Sequence, residues 1–201
     1  MSFFDFLFPP RVDEIVLRGI SDDEFLAKVA PRLVPETRPG TVALLPFNDA
    51  SVRAVIHEAK YHGNERAFKL LALALADYLR DMDERPRRSF IVPVPLGVVR
   101  RKERGFNQAE EISKRAAKLL GGVVDTTLLV RTRETISQIS LAREKREENM
   151  RGAFRATRRA DPSSSYIIID DVITTGATLQ AAIDALLEAG ALHIIPLALA
   201  H

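Results

Sequence analysis

The chain has 201 residues, 46% hydrophobic and 28% charged, which suits one soluble domain, or one with a small appendage, able to bury a sizeable core. With 29 Lys and Arg against 27 Asp and Glu the formal net charge is +2, so charge alone does not announce a nucleic-acid partner. There is no cysteine, which excludes disulfides and thiolate metal sites, and no apolar run is long enough to cross a bilayer; a cytoplasmic location is the expectation.

The charge is unevenly placed. Residues 1–50 carry five basic and eight acidic side chains (net −3), 100–118 seven and three (net +4), and 131–159 nine and four (net +5). Such blocks are ordinarily solvated surface and gain meaning only beside a site.

In chain order, Ser21-Asp-Asp-Glu24 has the form of a capping box opening a short helix that ends near Pro31. "TVALLPF" is expected to be a strand. Asn48 or Asp49 can cap a helix with Val52, Val55, Ile56 and Ala59 on one face, closed by Gly63, and Asn64 can cap a second helix through about Met82. "FIVPVPL" (90–96) is a buried-type strand leading into a loop. Asn107 is placed to cap a helix to Leu120, stopped by Gly121-Gly122. "VVDTTLLV" is expected as one strand, 131–150 as a long polar loop, and "GAFRA" as a short strand. Tyr166–Ile169 is a fully buried strand; a helix from about Gly176 to Gly190 and a last strand, "LHIIPLALA", complete the chain. Strands alternating with helices predict the α/β class with a mainly parallel sheet.

In such sheets ligands bind outside the carboxyl ends of the strands. "YIIIDDVITTGATL" (166–179) sits at one such end: a buried strand, two adjacent carboxylates, then small residues opening a helix. Thr174, Thr175, Gly176, Ala177 and Thr178 can form a tight turn whose N–H groups and hydroxyls cradle a phosphate, because unpaired amides and the helix dipole both attract anions. A cradle beside Asp170 and Asp171 suits a ligand with both a phosphate and a diol or metal, such as a ribose 5-phosphate compound. A lone Asp-Asp is ordinarily a solvent-facing loop start; the run as a whole points to a site. Gly-Lys-Ser/Thr and G-x-G-x-x-G are both absent. The four histidines show no metal-ligand spacing, and His57 is expected to be structural.

Tyr166–Thr178 resembles the binding motif for phosphoribosyl pyrophosphate (PRPP) of type I phosphoribosyltransferases. "VRAVIHEAKYHG" (52–63), "VPVPLGVVRRKERGFNQAEEI" (92–112) and "LLVRTRETISQISLAREKREENMRGAF" (128–154) add a resemblance to the ComF family of competence proteins over roughly 41–201. The resemblance implies a type I phosphoribosyltransferase fold at 41–201 and an N-terminal appendage at 1–40. It implies a catalytic pair, Asp170 and Asp171, holding the ribose hydroxyls directly or through Mg²⁺, with Thr174–Thr178 on the 5′-phosphate. Arg100, Arg101, Lys102 and Arg104 would partner the pyrophosphate. A mobile loop carrying Arg133, Thr135, Gln138, Arg143, Arg146 and Asn149 would close over PRPP. Lys60 and Tyr61 would reach substrate from a hood, and Asn107 and Gln108 would serve as helix cap or ligand contact. The implied activity is transfer of phosphoribose to an unknown acceptor with release of pyrophosphate; the alternative is a non-catalytic PRPP or nucleotide sensor or an accessory module of DNA uptake. Implied partners are PRPP, single-stranded DNA, a helicase-like competence ATPase and a second copy of the chain.

Two departures stand out. Relatives begin with a four-cysteine zinc ribbon after an "FPPR"-type stretch; here "LFPPRVDEIVLRGI" keeps the lead-in without cysteine, so no zinc is expected. Thr174 stands where 6-oxopurine enzymes carry an aspartate base, and a threonine hydroxyl cannot accept a proton near neutral pH, which speaks against hypoxanthine–guanine salvage.

Overall fold

The computed structural model describes residues 11–82, 88–133 and 150–201. Its centre is a six-stranded sheet in the order β1-β2-β8-β7-β3-β4: β1 (Arg32–Val34), β2 (Thr41–Leu45), β3 (Ser89–Pro93), β4 (Val123–Val124), β7 (Ser165–Val172) and β8 (His193–Ala200). Only the edge pair β1–β2 is antiparallel; the other four ladders are parallel. The protein is therefore of the expected α/β class, with helices on both faces.

Strand β7 shows why. Its side chains alternate between the faces, and both faces are covered, so an unbroken apolar run is what burial demands. Ile167 and Ile169 enter a core shared with helices α1 (Val12–Gly19), α2 (Asp22–Leu26), α3 (Ala50–His62), α4 (Glu65–Asp81) and α6 (Gln108–Leu120). Tyr166 and Ile168 enter the opposite core, with α7 (Ala177–Glu188) and a two-stranded antiparallel ribbon, β5 (Leu129–Arg131) and β6 (Phe154–Ala156).

The caps read from sequence are present. Ser21 and Glu24 form a reciprocal capping box on α2, though the helix ends at Leu26, short of Pro31. Asp49, not Asn48, caps α3 by accepting the Ser51 and Val52 N–H groups, and Asn64 and Asn107 cap α4 and α6. Three expectations need correction. "VVDTTLLV" is two strands in different sheets, because the Asp125 carboxylate accepts the N–H groups of Thr127 and Leu128 and turns the chain between them. The segment after "FIVPVPL" is partly helical, with α5 spanning Val98–Arg104. Strand β7 runs past Ile169 to Val172 and carries both aspartates. Helix α1 and strand β1 were not expected: α1 packs on α3 and buries Leu17, and its preceding Arg11 pairs with the buried Glu58 at 2.8 Å. Among the described residues no helix is long and apolar enough to cross a membrane.

Candidate functional site

A cleft of about 680 Å³ opens at the carboxyl ends of β2, β3 and β7. Phe47 lines it from beyond β2, Val94, Pro95 and Leu96 from beyond β3, and Asp170, Asp171, Val172 and Thr174 from the end of β7. Ile56, His57, Lys60 and Tyr61 of α3 form the facing wall, and Arg100, Glu103 and Arg104 of α5 another side. The location is the one open parallel sheets use for ligands, since diverging loops leave a crevice there.

The two carboxylates are adjacent in sequence but electrostatically unequal. Asp171 is buried; its Oδ2 accepts from Lys60 Nζ at 2.9 Å and from Gln108 Nε2 at 2.7 Å, and its Oδ1 accepts the Val172 N–H at 2.7 Å. Burial alone would raise its pKa, but Lys60 and Gln108 hold it below the ordinary value. Lys60, which burial would lower, is held above its ordinary value by Asp171. Asp170 is half-buried and has a weaker set of partners. Its Oδ1 accepts the Asp171 N–H at 2.9 Å, and among the described residues no cation comes within ion-pair distance. Burial, and then the charge of Asp171, push it up to about 7, against weaker pulls from Lys60 and Arg131. One carboxylate of the pair is thus a fixed anion, and the other sits between proton and cation.

Beside the pair, Asp170 and residues 172–179 line a smaller recess that includes Thr174, Thr175, Gly176, Ala177 and Thr178. Gly176 is the N-cap of α7 with φ of +73°, and no side chain caps this helix end. A Cβ at Gly176 would stand 2.9 Å from the Glu36 carbonyl oxygen and Cβ, so the loop is pressed against the 36–37 backbone as only glycine allows. The helix amides at this end are left to solvent or ligand.

The basic residues divide by helix geometry. Arg100 and Arg104, four apart on α5, line the cleft, while Arg101 is exposed and pairs with Glu110 at 2.7 Å and Lys102 is exposed away from the wall. Arg104 donates to Gln108 Oε1 at 3.0 Å, and its guanidinium lies 5.2 Å from the centre of the Tyr61 ring. Asn107 is fully used inside the protein: it caps α6 and donates to the Val94 carbonyl at 2.9 Å, fixing the loop beyond β3. Arg133 lies at the start of the long polar segment and donates to the Arg151 carbonyl at 2.7 Å. Thr135, Gln138, Arg143, Arg146 and Asn149 fall outside the described residues.

Sequence reasoning missed part of the wall. Arg131, Phe47, His57 and Glu103 border the cleft without having been singled out for it. The Lys60–Asp171 pair joins α3 to β7 and has no local signal, although Lys60 itself was picked out. Among the described residues no group of three or more His, Asp or Glu side chains is arranged to hold a metal ion.

No protein-family model matches the chain. It is 34% identical over 140 residues to the DNA utilization protein YhgH of Salmonella typhi, covering 68% of this chain and 61% of the relative. It is 32% identical over 114 residues to competence protein F of Haemophilus influenzae, covering 56% and 49%, and 36% identical over 101 residues to the YhgH protein of Escherichia coli K12, covering 50% and 44%. The chain thus spans between about two fifths and three fifths of the length of these relatives. Among solved structures it is similar to a glutamine PRPP amidotransferase from B. subtilis, complexed with ADP and GMP (TM-score 0.45, 18% identity, 71% of this chain and 30% of the other). It is also similar to an adenine phosphoribosyltransferase from Leishmania tarentolae (TM-score 0.40, 15% identity, 89% and 74%). The chain is a homologue of the DNA utilization and competence F proteins, the kinship that its own motifs point to.

Proposed function

We propose that the cleft binds PRPP and transfers its phosphoribosyl group to an acceptor, releasing pyrophosphate, in a protein that serves DNA uptake or use. The observation that carries this reading is the convergence on one cleft of an acidic pair, an uncapped helix end behind a glycine turn, and the Arg100–Arg104 face of α5. On this reading Thr174–Thr178 takes the 5′-phosphate with backbone amides and hydroxyls. Asp170 and Asp171 accept hydrogen bonds from the ribose diol. Arg100 and Arg104 hold the pyrophosphate, where developing negative charge is best stabilised by fixed cations. Arg101 and Lys102 contribute only to the field around the mouth.

Mg²⁺ fits this donor set through Asp170 rather than Asp171. Magnesium takes hard oxygen ligands, one or two carboxylates with substrate phosphates, and Asp171 already has an ammonium and an amide on its outer oxygen. When bound, Mg²⁺ supplies charge neutralisation to the pyrophosphate. The protein's own residues orient the ribose ring and keep water from C1′ by means of the Phe47, Ile56, Tyr61 and Leu96 walls.

Binding of PRPP and of ribose 5-phosphate by the wild type and by an R100A/R104A variant tests the assignment. Only PRPP carries the pyrophosphate, so the variant should lose PRPP affinity by tenfold or more and leave ribose 5-phosphate nearly unchanged. An equal loss for both ligands would contradict it.

A further inference from the structure

We infer that His57, oriented by Asp13, is the proton acceptor for the N–H group that attacks C1′. The inference builds on the phosphoribosyl-transfer reading above. Transfer to an N–H group needs a base, and Thr174 leaves the β7 loop without one. Apart from Asp170 and Asp171, committed to the diol, two side chains able to accept a proton line the cleft among the described residues: Glu103 and His57. Glu103 is exposed on α5 between Arg100 and Arg104, which places it on the leaving-group side.

His57 is on α3, and its ring is held by three neighbours. Its Nδ1 lies 3.3 Å from Asp13 Oδ2, and its ring packs edge-on to Tyr61 (centroids 5.8 Å apart) and to Phe47 (6.5 Å). With Nδ1–H given to a carboxylate, Nε2 keeps the lone pair, the same division of labour that orients catalytic and metal-binding imidazoles. Among the described residues no hydrogen-bond partner stands at Nε2. The location also fits. His57 lies one helical turn before Lys60 on α3, so their Cβ atoms are about 5–6 Å apart, and Lys60 touches Asp171 at 2.9 Å. His57 and Lys60 thus reach from α3 into the same cleft as the acidic pair.

In the step itself the attacking nitrogen's lone pair forms the bond to C1′. The C1′–O bond breaks with its electron pair leaving on pyrophosphate. The N–H proton passes to Nε2 of His57, its bond pair remaining on nitrogen, and the imidazolium returns the proton to water. Asp13 touches neither substrate nor the reacting atoms and is a positioning residue.

The test uses the full chain with PRPP, Mg²⁺ and a panel of purine and pyrimidine bases, reading pyrophosphate release, with PRPP affinity measured separately by calorimetry. H57N keeps a donor toward Asp13 while removing the base. It should bind PRPP within about twofold of wild type, lose turnover by about a hundredfold or more, and recover part of it with added imidazole. D13N should lose about tenfold in turnover with PRPP affinity kept. Wild-type turnover in H57N, loss without imidazole rescue, or absence of base-dependent pyrophosphate release from a wild type that binds PRPP would each overturn the assignment while leaving the PRPP site standing. A wild type that does not bind PRPP would overturn both.

Discussion

Asp170 and Asp171 are chemically different because one helix away Lys60 neutralises only the second. Lys60→Met would leave Asp171 buried with an amide but no cation. We expect a loss of about 2 kcal/mol, below the 3–5 kcal/mol of a fully enclosed pair because Lys60 is a quarter exposed. Adding Asp171→Asn should restore most of that, and a denaturation cycle on the four proteins measures the coupling; additive losses would mean that the pair is not an energetic unit. Asp170 predicts a pH dependence. Its folded-state pKa is raised, so the proton it holds stabilises the fold fully below about pH 4, and that contribution is lost as pH rises through about 7. A ligand cation or diol that needs the carboxylate must displace the same proton, so affinity for PRPP with Mg²⁺ should rise between about pH 6 and 8. Asp170→Asn should flatten the rise; an identical slope in the variant would assign it to another group.

Helix α3 presents His57, Lys60 and Tyr61 to the cleft, and Asp49 fixes where it starts. The Asp49 carboxylate accepts two backbone N–H groups and the Lys28 ammonium at 2.8 Å, which holds it well below the usual carboxylate range. Asp49→Ala should therefore cost about 1–2 kcal/mol, read as a fall of several degrees in melting temperature for a chain of this size. In the β7–α7 turn, Gly176→Ala meets both a left-handed φ and a clash with the 36–37 backbone, so it should destabilise by more than the about 1 kcal/mol of an ordinary helix-end change. Restored stability with undiminished PRPP binding in that variant would show that the turn does not need its close approach. These caps were legible in the sequence because Ser, Asp and Asn before apolar periodicity have a local meaning. The Val98–Arg104 helix was not, since seven residues with four basic side chains and no buried face carry no periodic signal. That helix decides which arginines face the cleft, so the reading of four equivalent cations could not be refined without it.

For the molecule as a whole, alternating apolar strands and capped helices were enough to give a mainly parallel sheet with Asp170 near the carboxyl end of β7, because burial on both faces leaves few other arrangements. What lay beyond sequence was the meeting of distant segments: α1 on α3, which brings Asp13 to His57, the Lys60–Asp171 pair, and Arg131 from the ribbon on the cleft wall. Such contacts are fixed by packing, not by any neighbour in the chain. They converge on one cleft, and the account depends on that cleft taking PRPP through its acidic pair. The most direct test is calorimetric titration of PRPP with Mg²⁺ into the wild type and into a D170N/D171N variant, with melting curves on both. Asparagine keeps the size; losing the buried charge of Asp170 offsets part of what Lys60 forfeits when Asp171 goes, so the variant should still melt cooperatively, lower by a few degrees, and lose PRPP affinity by at least about tenfold, the equivalent of 1.4 kcal/mol; equal affinity in a folded variant would contradict the site.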